Sequence, residues 1–304
     1  MKKVLVVAGI AGVIGCHATE LKVLTIGNSF ADSVFMYLPA IVQSVPDCTI
    51  EMGKANLGGC TMERHWREHE QSAKAPNYKP YRFGNRKLSL RTILTEKKWD
   101  IVTIQQASHE SWRAESYEPY AQNIINLVRE LAPQARIVIQ QTWSYRIDAP
   151  QFKSWKINQN EMYERLTENY KNLAKKYRFG VIPSGLAVQL TRAKTPDDEK
   201  FKIYDPAILK TLRWPDLPPQ AGDVVGQVAW RKNPEIGELF ISTDVIHLNT
   251  RGAYLQACLW FAALYGKKTS EIKFVPNVIG ARDAEFLQKC AQEALDTFPQ
   301  VSVD

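Results

Sequence analysis

"LKVLTIGNSFADSVFMYLPAIV", residues 21–42, decides the fold. An apolar run closes at Gly27-Asn28-Ser29, and apolar positions then recur three or four apart at Val34, Leu38 and Ile41. That is a strand running directly into a helix, with a serine at the junction. Taken alone, Ser29 reads as an N-cap, because its hydroxyl suits the orphan amides of a first turn. The same position also suits a nucleophile, since free amides and the helix dipole favour negative charge developing there.

The pattern repeats outward from this junction. Residues 22–27, 49–56, 100–106, 136–143 and 179–185 read as strands, and 30–43, 61–72, 116–131 and 158–177 as helices between them. Strands alternating with helices of this length predict βαβ units, hence a three-layer α/β/α sandwich around a mostly parallel sheet of about five strands. Right-handed crossovers put the strand C-termini, and with them Ser29, on one edge of that sheet, where open α/β sheets bind ligands. Residues 191–238 break the rhythm with Pro196, Pro206, Pro215, Pro218, Pro219 and Pro234, and read as a long insertion in a single domain spanning 19–304. Order returns with "TDVIHLN" and a buried helix over Ala253 to Tyr265.

The chain has 304 residues, 45% of them apolar, enough for a full core. Its start, "MKKVLVVAGIAGVIGCHATE", has the charge and length order of an export signal over residues 1–18. "VIGC" resembles a bacterial lipobox, which would leave Cys16 as a lipidated N-terminus, and "CHA" before Thr19 fits an ordinary cleavage. The expectation is a periplasmic or cell-surface protein of a bacterium, touching a membrane only through a lipid at Cys16. Loss of Lys2 and Lys3 lowers the net charge from +7 to +5, a weak basis for nucleic-acid binding. The remaining cysteines, Cys48, Cys60, Cys258 and Cys290, form no CxxC pair.

There are five histidines. His247 lies in "DVIHLN", three residues after Asp244, and on a tight turn that spacing aims both side chains one way. The carboxylate then accepts one ring N–H and leaves the other nitrogen to act as a base. "GNSF" near the start, "NLGGCT" at 56–61 and "DVIH" near the end, in this order, resemble the blocks of the SGNH/GDSL hydrolase superfamily over residues 22–266. The resemblance implies a flavodoxin-like fold, and Ser29 as nucleophile, His247 as general base and acid, and Asp244 as its orienting partner. It also implies an oxyanion hole from the backbone N–H groups of Ser29 and Gly59, no metal or organic cofactor, and hydrolysis of ester bonds. The first substrate class is a carbohydrate O-acetyl ester, with lipid or aryl esters, or non-catalytic glycan binding on the same scaffold, as alternatives.

Two departures stand out. Asn28 replaces the usual Asp of the first block, and "QQASHES", residues 105–111, replaces the third block, whose Asn normally supplies another oxyanion donor. Gln105 is the expected substitute and His109 its rival. Asn28, Ser108, His109 and Trp143 are candidate substrate contacts, and Trp112, Trp155, Trp214 and Trp230 are further loop aromatics able to stack on sugars. "HWREH", residues 65–69, formally matches a zinc motif, but its charged setting, "MERHWREHEQSAK", reads as a solvated helix face lacking a third ligand.

Overall fold

The computed structural model describes residues 19–300. The export signal and Cys16 lie outside them. In chain order the elements are β1 (Thr19–Gly27), α1 (Ser29–Asp32), α2 (Leu38–Gln43), β2 (Cys48–Asn56), α3 (Met62–Lys74), β3 (Tyr81–Phe83), β4 (Arg86–Leu88), α4 (Leu90–Glu96) and β5 (Ile101–Ile104). There follow α5 (Tyr120–Leu131), β6 (Arg136–Gln140), α6 (Gln151–Trp155), α7 (Gln159–Tyr177), β7 (Gly180–Ile182), α8 (Ser184–Lys194), β8 (Val225–Lys232), β9 (Leu239–Leu248), α9 (Thr250–Tyr265) and α10 (Ala281–Thr297).

The central sheet has five parallel strands in the order β2-β1-β5-β6-β7. Its middle strands are apolar on both faces, as a sheet covered by helices requires: Val23, Leu24, Val102, Ile104 and Ile139 are at most 1% exposed. Helices α2, α8, α9 and α10 pack together on one face, and α3, α4 and α5 on the other. This is the three-layer α/β/α fold expected, with the flavodoxin-like strand order. Because the chain leaves β2 by crossing over β1, the strand order reverses between β1 and β5. The crevice at the C-terminal ends of those two strands is where such sheets take ligands, and Ser29 and Gln105 stand there.

Three local expectations change. The helix over 30–43 is broken: α1 has only four residues, a 3-10 turn follows over Ser33–Met36, and the chain restarts as α2 with Pro39 in its first turn. Proline lacks the N–H that a continuous helix would need there and its ring would strike the preceding turn. The insertion also has more order than its prolines suggest. It contains the end of α8 and the whole of β8, which pairs antiparallel with β9 in a two-stranded ribbon separate from the main sheet. A small hairpin, β3 and β4, turns at Gly84-Asn85.

Among the described residues no helix is long and apolar enough to cross a membrane. Cys48, Cys60, Cys258 and Cys290 are buried thiols outside any disulfide.

Candidate active site

The strand-to-helix junction at Gly27-Asn28-Ser29 is a cap, but the capping residue is Asn28. In extended conformation (φ −142°), Asn28 accepts the Phe30 N–H on its Oδ1 at 3.0 Å. Ser29 thereby becomes the first residue of α1, half-buried, its hydroxyl released from capping. With α1 so short, any help to a developing charge comes from individual amides, not from an extended helix dipole.

The Asn28 side chain, 2% exposed, does more. Its Nδ2 donates to the Cys60 carbonyl at 3.1 Å, and its Oδ1 also accepts from Gln105 Nε2 at 2.7 Å. Because Oδ1 must face the Phe30 amide, the Asn28 amide orientation is fixed, and that of Gln105 with it. An aspartate could not donate to Cys60, so the departure in the first block is a gain of one donor. That bond holds the loop carrying Gly59 against the start of α1. Gly59 sits at φ +59°, the left-handed region that glycine adopts without strain.

Asp244 and His247 come from β9, and not from the tight turn expected. Opposite the single residue Gly226, the strand bulges by three residues, Val245 to His247, between the register pairs Gln227–Asp244 and Val225–Leu248. The bulge brings onto one side two side chains that a regular strand would send to opposite faces. His247 Nδ1 lies 2.7 Å from Asp244 Oδ2, and His247 Nε2 lies 2.8 Å from Ser29 Oγ. Carboxylate oxygens only accept, so Nδ1 carries the proton and Nε2 is free to accept the serine hydroxyl. Partial burial works against the Asp244 charge, but the His247 ring N–H and the backbone N–H groups of His247 and Ile246 hold its carboxyl well below the usual carboxylate range. Asp244 is thus held as the carboxylate, able to orient the His247 ring and to stabilise it when it takes up a proton. Phe30 meets the His247 ring edge-on at 5.5 Å.

Other expected site residues fall differently. Gln105 is 1% exposed with its amide on Asn28, so it braces the cap instead of facing solvent as the third donor. Ser108 is buried and hydrogen-bonded to the Tyr145 hydroxyl at 2.9 Å; His109 is half-exposed beside it. Burial pushes the Tyr145 phenol up to about 12, partly offset by Ser108 and reinforced by the Asp244 charge.

Trp143 is no surface platform. It is fully buried, stacked on Phe30 at 4.0 Å, and its Nε1 donates to the Ile246 carbonyl within the bulge. It follows β6 so closely that Phe30 and the ribbon cover it. Trp112 and Trp155 pack against each other at 5.5 Å, whereas Trp214 is 66% exposed.

Sequence reasoning missed two supports. His65 and His69 are not on a solvated face: both are buried, as is Glu68. His65 Nε2 donates to the Gly27 carbonyl at 3.0 Å, which fixes the tautomer, so Nδ1 accepts from Tyr81. A core histidine thus pins the strand end beneath Ser29. Desolvation lowers the His65 pKa to about 4. The unfolded chain, near the ordinary 6.5, therefore binds the proton first as pH falls, and stability present above pH 6.5 is lost down to about pH 4. A shift of that size amounts to about 3 kcal/mol. Urea unfolding at pH 7 and at pH 4.5 should show this slope, and His65→Asn should flatten it even though the variant starts less stable; an equal slope would exclude His65 as its source.

The second support is Arg192, whose guanidinium grips Asp223 at 3.0 Å and the Ser144 and Tyr145 carbonyls at 3.2 Å. Asp223 in turn accepts the Val225 N–H, and Asn249, the N-cap of α9, donates to the carbonyls of Asp223 and Gly226. A two-stranded ribbon is marginal alone; here its base is tied to the segment after β6. An isolated Asp before "VVG" carries little signal for this.

A family profile described as "Domain of unknown function (DUF4886)" matches residues 22–206, which takes in Ser29, Gly59 and Gln105 and ends before Asp244 and His247. No curated protein matches the chain. Among solved structures, a DUF4886 family protein from Bacteroides uniformis ATCC 8492 is 26% identical, with a TM-score of 0.72 over 93% of this chain and 98% of that one. A provisionally assigned SGNH hydrolase from Slackia heliotrinireducens is 16% identical over 79% of this chain and 96% of that one, with a TM-score of 0.47. A provisionally assigned GDSL-like lipase from Parabacteroides merdae ATCC 43184 is 12% identical over 83% and 98%, also with a TM-score of 0.47.

Proposed function

The chain belongs to the DUF4886 family, and from that premise we propose that it is a serine hydrolase of carboxylic esters, most specifically a carbohydrate O-acetylesterase acting outside the cell. The observation that carries the reading is the unbroken relay from Asp244 through His247 to Ser29, with bonds of 2.7 and 2.8 Å. In this mechanism Ser29 Oγ attacks the ester carbonyl carbon while its proton passes to His247 Nε2, and Asp244 stabilises the imidazolium. The backbone N–H groups of Ser29 and Gly59 receive the oxyanion, each such donor being worth roughly 10²–10³ in rate. His247 then protonates the departing alcohol, and water repeats the sequence on the acyl-enzyme. No step calls for a metal or an organic cofactor.

The Asp244 and His247 side chains are each 38% exposed, which favours an ester carried on a bulky or polymeric alcohol. Exposed Trp214 on the insertion favours a sugar. A second reading, an esterase for longer acyl or aryl groups, draws on exposed Ile236, Leu239 and Phe240 at the far end of the ribbon.

A fluorophosphonate probe should label the folded protein on Ser29, as mapped by mass spectrometry, and acetylated xylan or pectin should release acetate. Release from longer acyl esters alone would favour the second reading. Glycan binding with neither label nor release would overturn hydrolysis in favour of a binding protein.

A further inference from the structure

Arg146 is an arginine with nothing to do on the surface. Its side chain is wholly buried, although a buried charge is a poor source of stability and is usually tolerated only when fully paired. The pairing here is partial. Nε and Nη2 grip Asp148 at 2.7 and 2.8 Å, the Phe201 ring from the insertion covers the guanidinium at 4.2 Å, the Tyr204 hydroxyl, also from the insertion, lies near it, and Nη1 makes no hydrogen bond of good geometry.

What stands on the other side of Nη1 is the back of the catalytic bulge. The Arg146 backbone N–H donates to the Val245 carbonyl at 2.9 Å. Gly226, the one residue facing the three-residue bulge, has φ +90°. A Cβ placed on it would stand 2.8 Å from Arg146 Nη1 and 2.9 Å from the Asp244 carbonyl oxygen, both closer than atoms tolerate. Arg146, Gly226 and the Asp244 main chain therefore meet at one point, behind the carboxylate that orients His247.

We propose that Arg146 is a positioning residue for the triad: buried between the insertion and the bulge, it sets the path of residues 244–247 and so the Asp244–His247 geometry, and Gly226 is glycine to admit it. This inference rests on the hydrolase reading above. It also gives the insertion a part in catalysis, since Phe201 closes the guanidinium in from the other side. Arg146 is wholly buried and makes no contact with Ser29, so its loss should act on turnover and leave binding nearly intact.

The test uses the full chain with 4-nitrophenyl acetate and a fluorophosphonate. Arg146→Met and Gly226→Ala should lower kcat by about 10–100-fold with KM within about twofold, the size a sub-ångström to 1 Å misplacement produces. Fluorophosphonate labelling of Ser29 should slow in parallel, and Arg146→Lys, which keeps the charge without the fork, should fall between. The downfield proton resonance of His247 Nδ1–H, assigned by its loss in His247→Gln, should shift or broaden in both variants. If Arg146→Met does not fold, Arg146→Lys carries the test, since it keeps a buried cation without the fork, whereas Gly226→Ala also presses on the Asp244 carbonyl directly. Lowered melting temperature with kcat, labelling and the His247 resonance all unchanged would overturn the proposal, because a purely structural arginine predicts that result. Wild-type protein unlabelled at Ser29 would instead sink the hydrolase reading, while the His247 resonance would still report whether Arg146 sets the pair.

Discussion

Ser29→Ala is expected to remove ester hydrolysis almost entirely, with kcat falling by about 10⁴–10⁶-fold, the range seen when a serine nucleophile is deleted. The size follows from the arrangement. His247 Nε2 is 2.8 Å from Ser29 Oγ and in the proposed mechanism is the base for that hydroxyl alone; without the oxygen that mechanism has no covalent intermediate, only a base facing a gap. Residual turnover would come from amides that still stabilise an oxyanion formed by water. The fold should be untouched, because Asn28 does the capping that Ser29 does not. The measurement is kcat for acetyl esters beside substrate binding by calorimetry. Binding retained with turnover lost is the expected pair, and equal turnover in variant and wild type would end the mechanism.

Asp244→Asn should cost about 10⁴-fold in kcat, a loss out of proportion to the single atom exchanged. Asp244 Oδ1 accepts two backbone N–H groups, from Ile246 and His247, and Oδ2 faces the His247 ring. In the asparagine variant the oxygen must stay with the two amides, since an NH₂ group there would meet donors head-on. The NH₂ therefore takes the place of Oδ2 and donates to His247 Nδ1, which drives the ring proton to Nε2. A ring protonated at Nε2 cannot accept from Ser29. Unlike Asp244→Ala, this variant should keep the bulge, so a near-native melting temperature with kcat collapsed is the result to seek. Activity within tenfold of wild type would show that Asp244 does not choose the tautomer.

The three residues at the heart of these expectations were legible in the sequence for a definite reason. Ser29 follows an apolar strand without a linker, and Asp244 and His247 are three apart before a helix; both are local patterns that survive any tertiary arrangement. The five-strand sheet was legible too, because strands buried on both faces are written as short apolar runs. What escaped depended on contacts distant in sequence. Gln105 occupied a plausible slot for an oxyanion donor, but its amide is engaged by Asn28, 77 positions earlier. His65 looked solvated because its neighbours are charged, yet Tyr81 and the Gly27 carbonyl enclose it. Trp143 looked like a loop aromatic, and only the arrival of Phe30 and of the Ile246 carbonyl makes it core. The break at Pro39 could have been read from the proline, but the helical spacing of Val34, Leu38 and Ile41 runs through it unchanged.

The buried cysteines bear on how the protein meets reactive molecules. Sulfur is the stronger nucleophile when ionised, yet burial pushes the Cys60 thiol up to about 12 and raises those of Cys258 and Cys290 as well. On the proposed mechanism, the fold therefore reverses the usual order of reactivity among the described residues. The four described thiols are walled off, and burial keeps those of Cys60, Cys258 and Cys290 protonated, while one ordinary alcohol, half-buried just after β1, is hydrogen-bonded to the His247 imidazole. Among the described residues, an electrophile arriving from solution should then meet the Ser29 oxygen before any thiol, and Cys48, Cys60, Cys258 and Cys290 become competitors only in molecules that have opened.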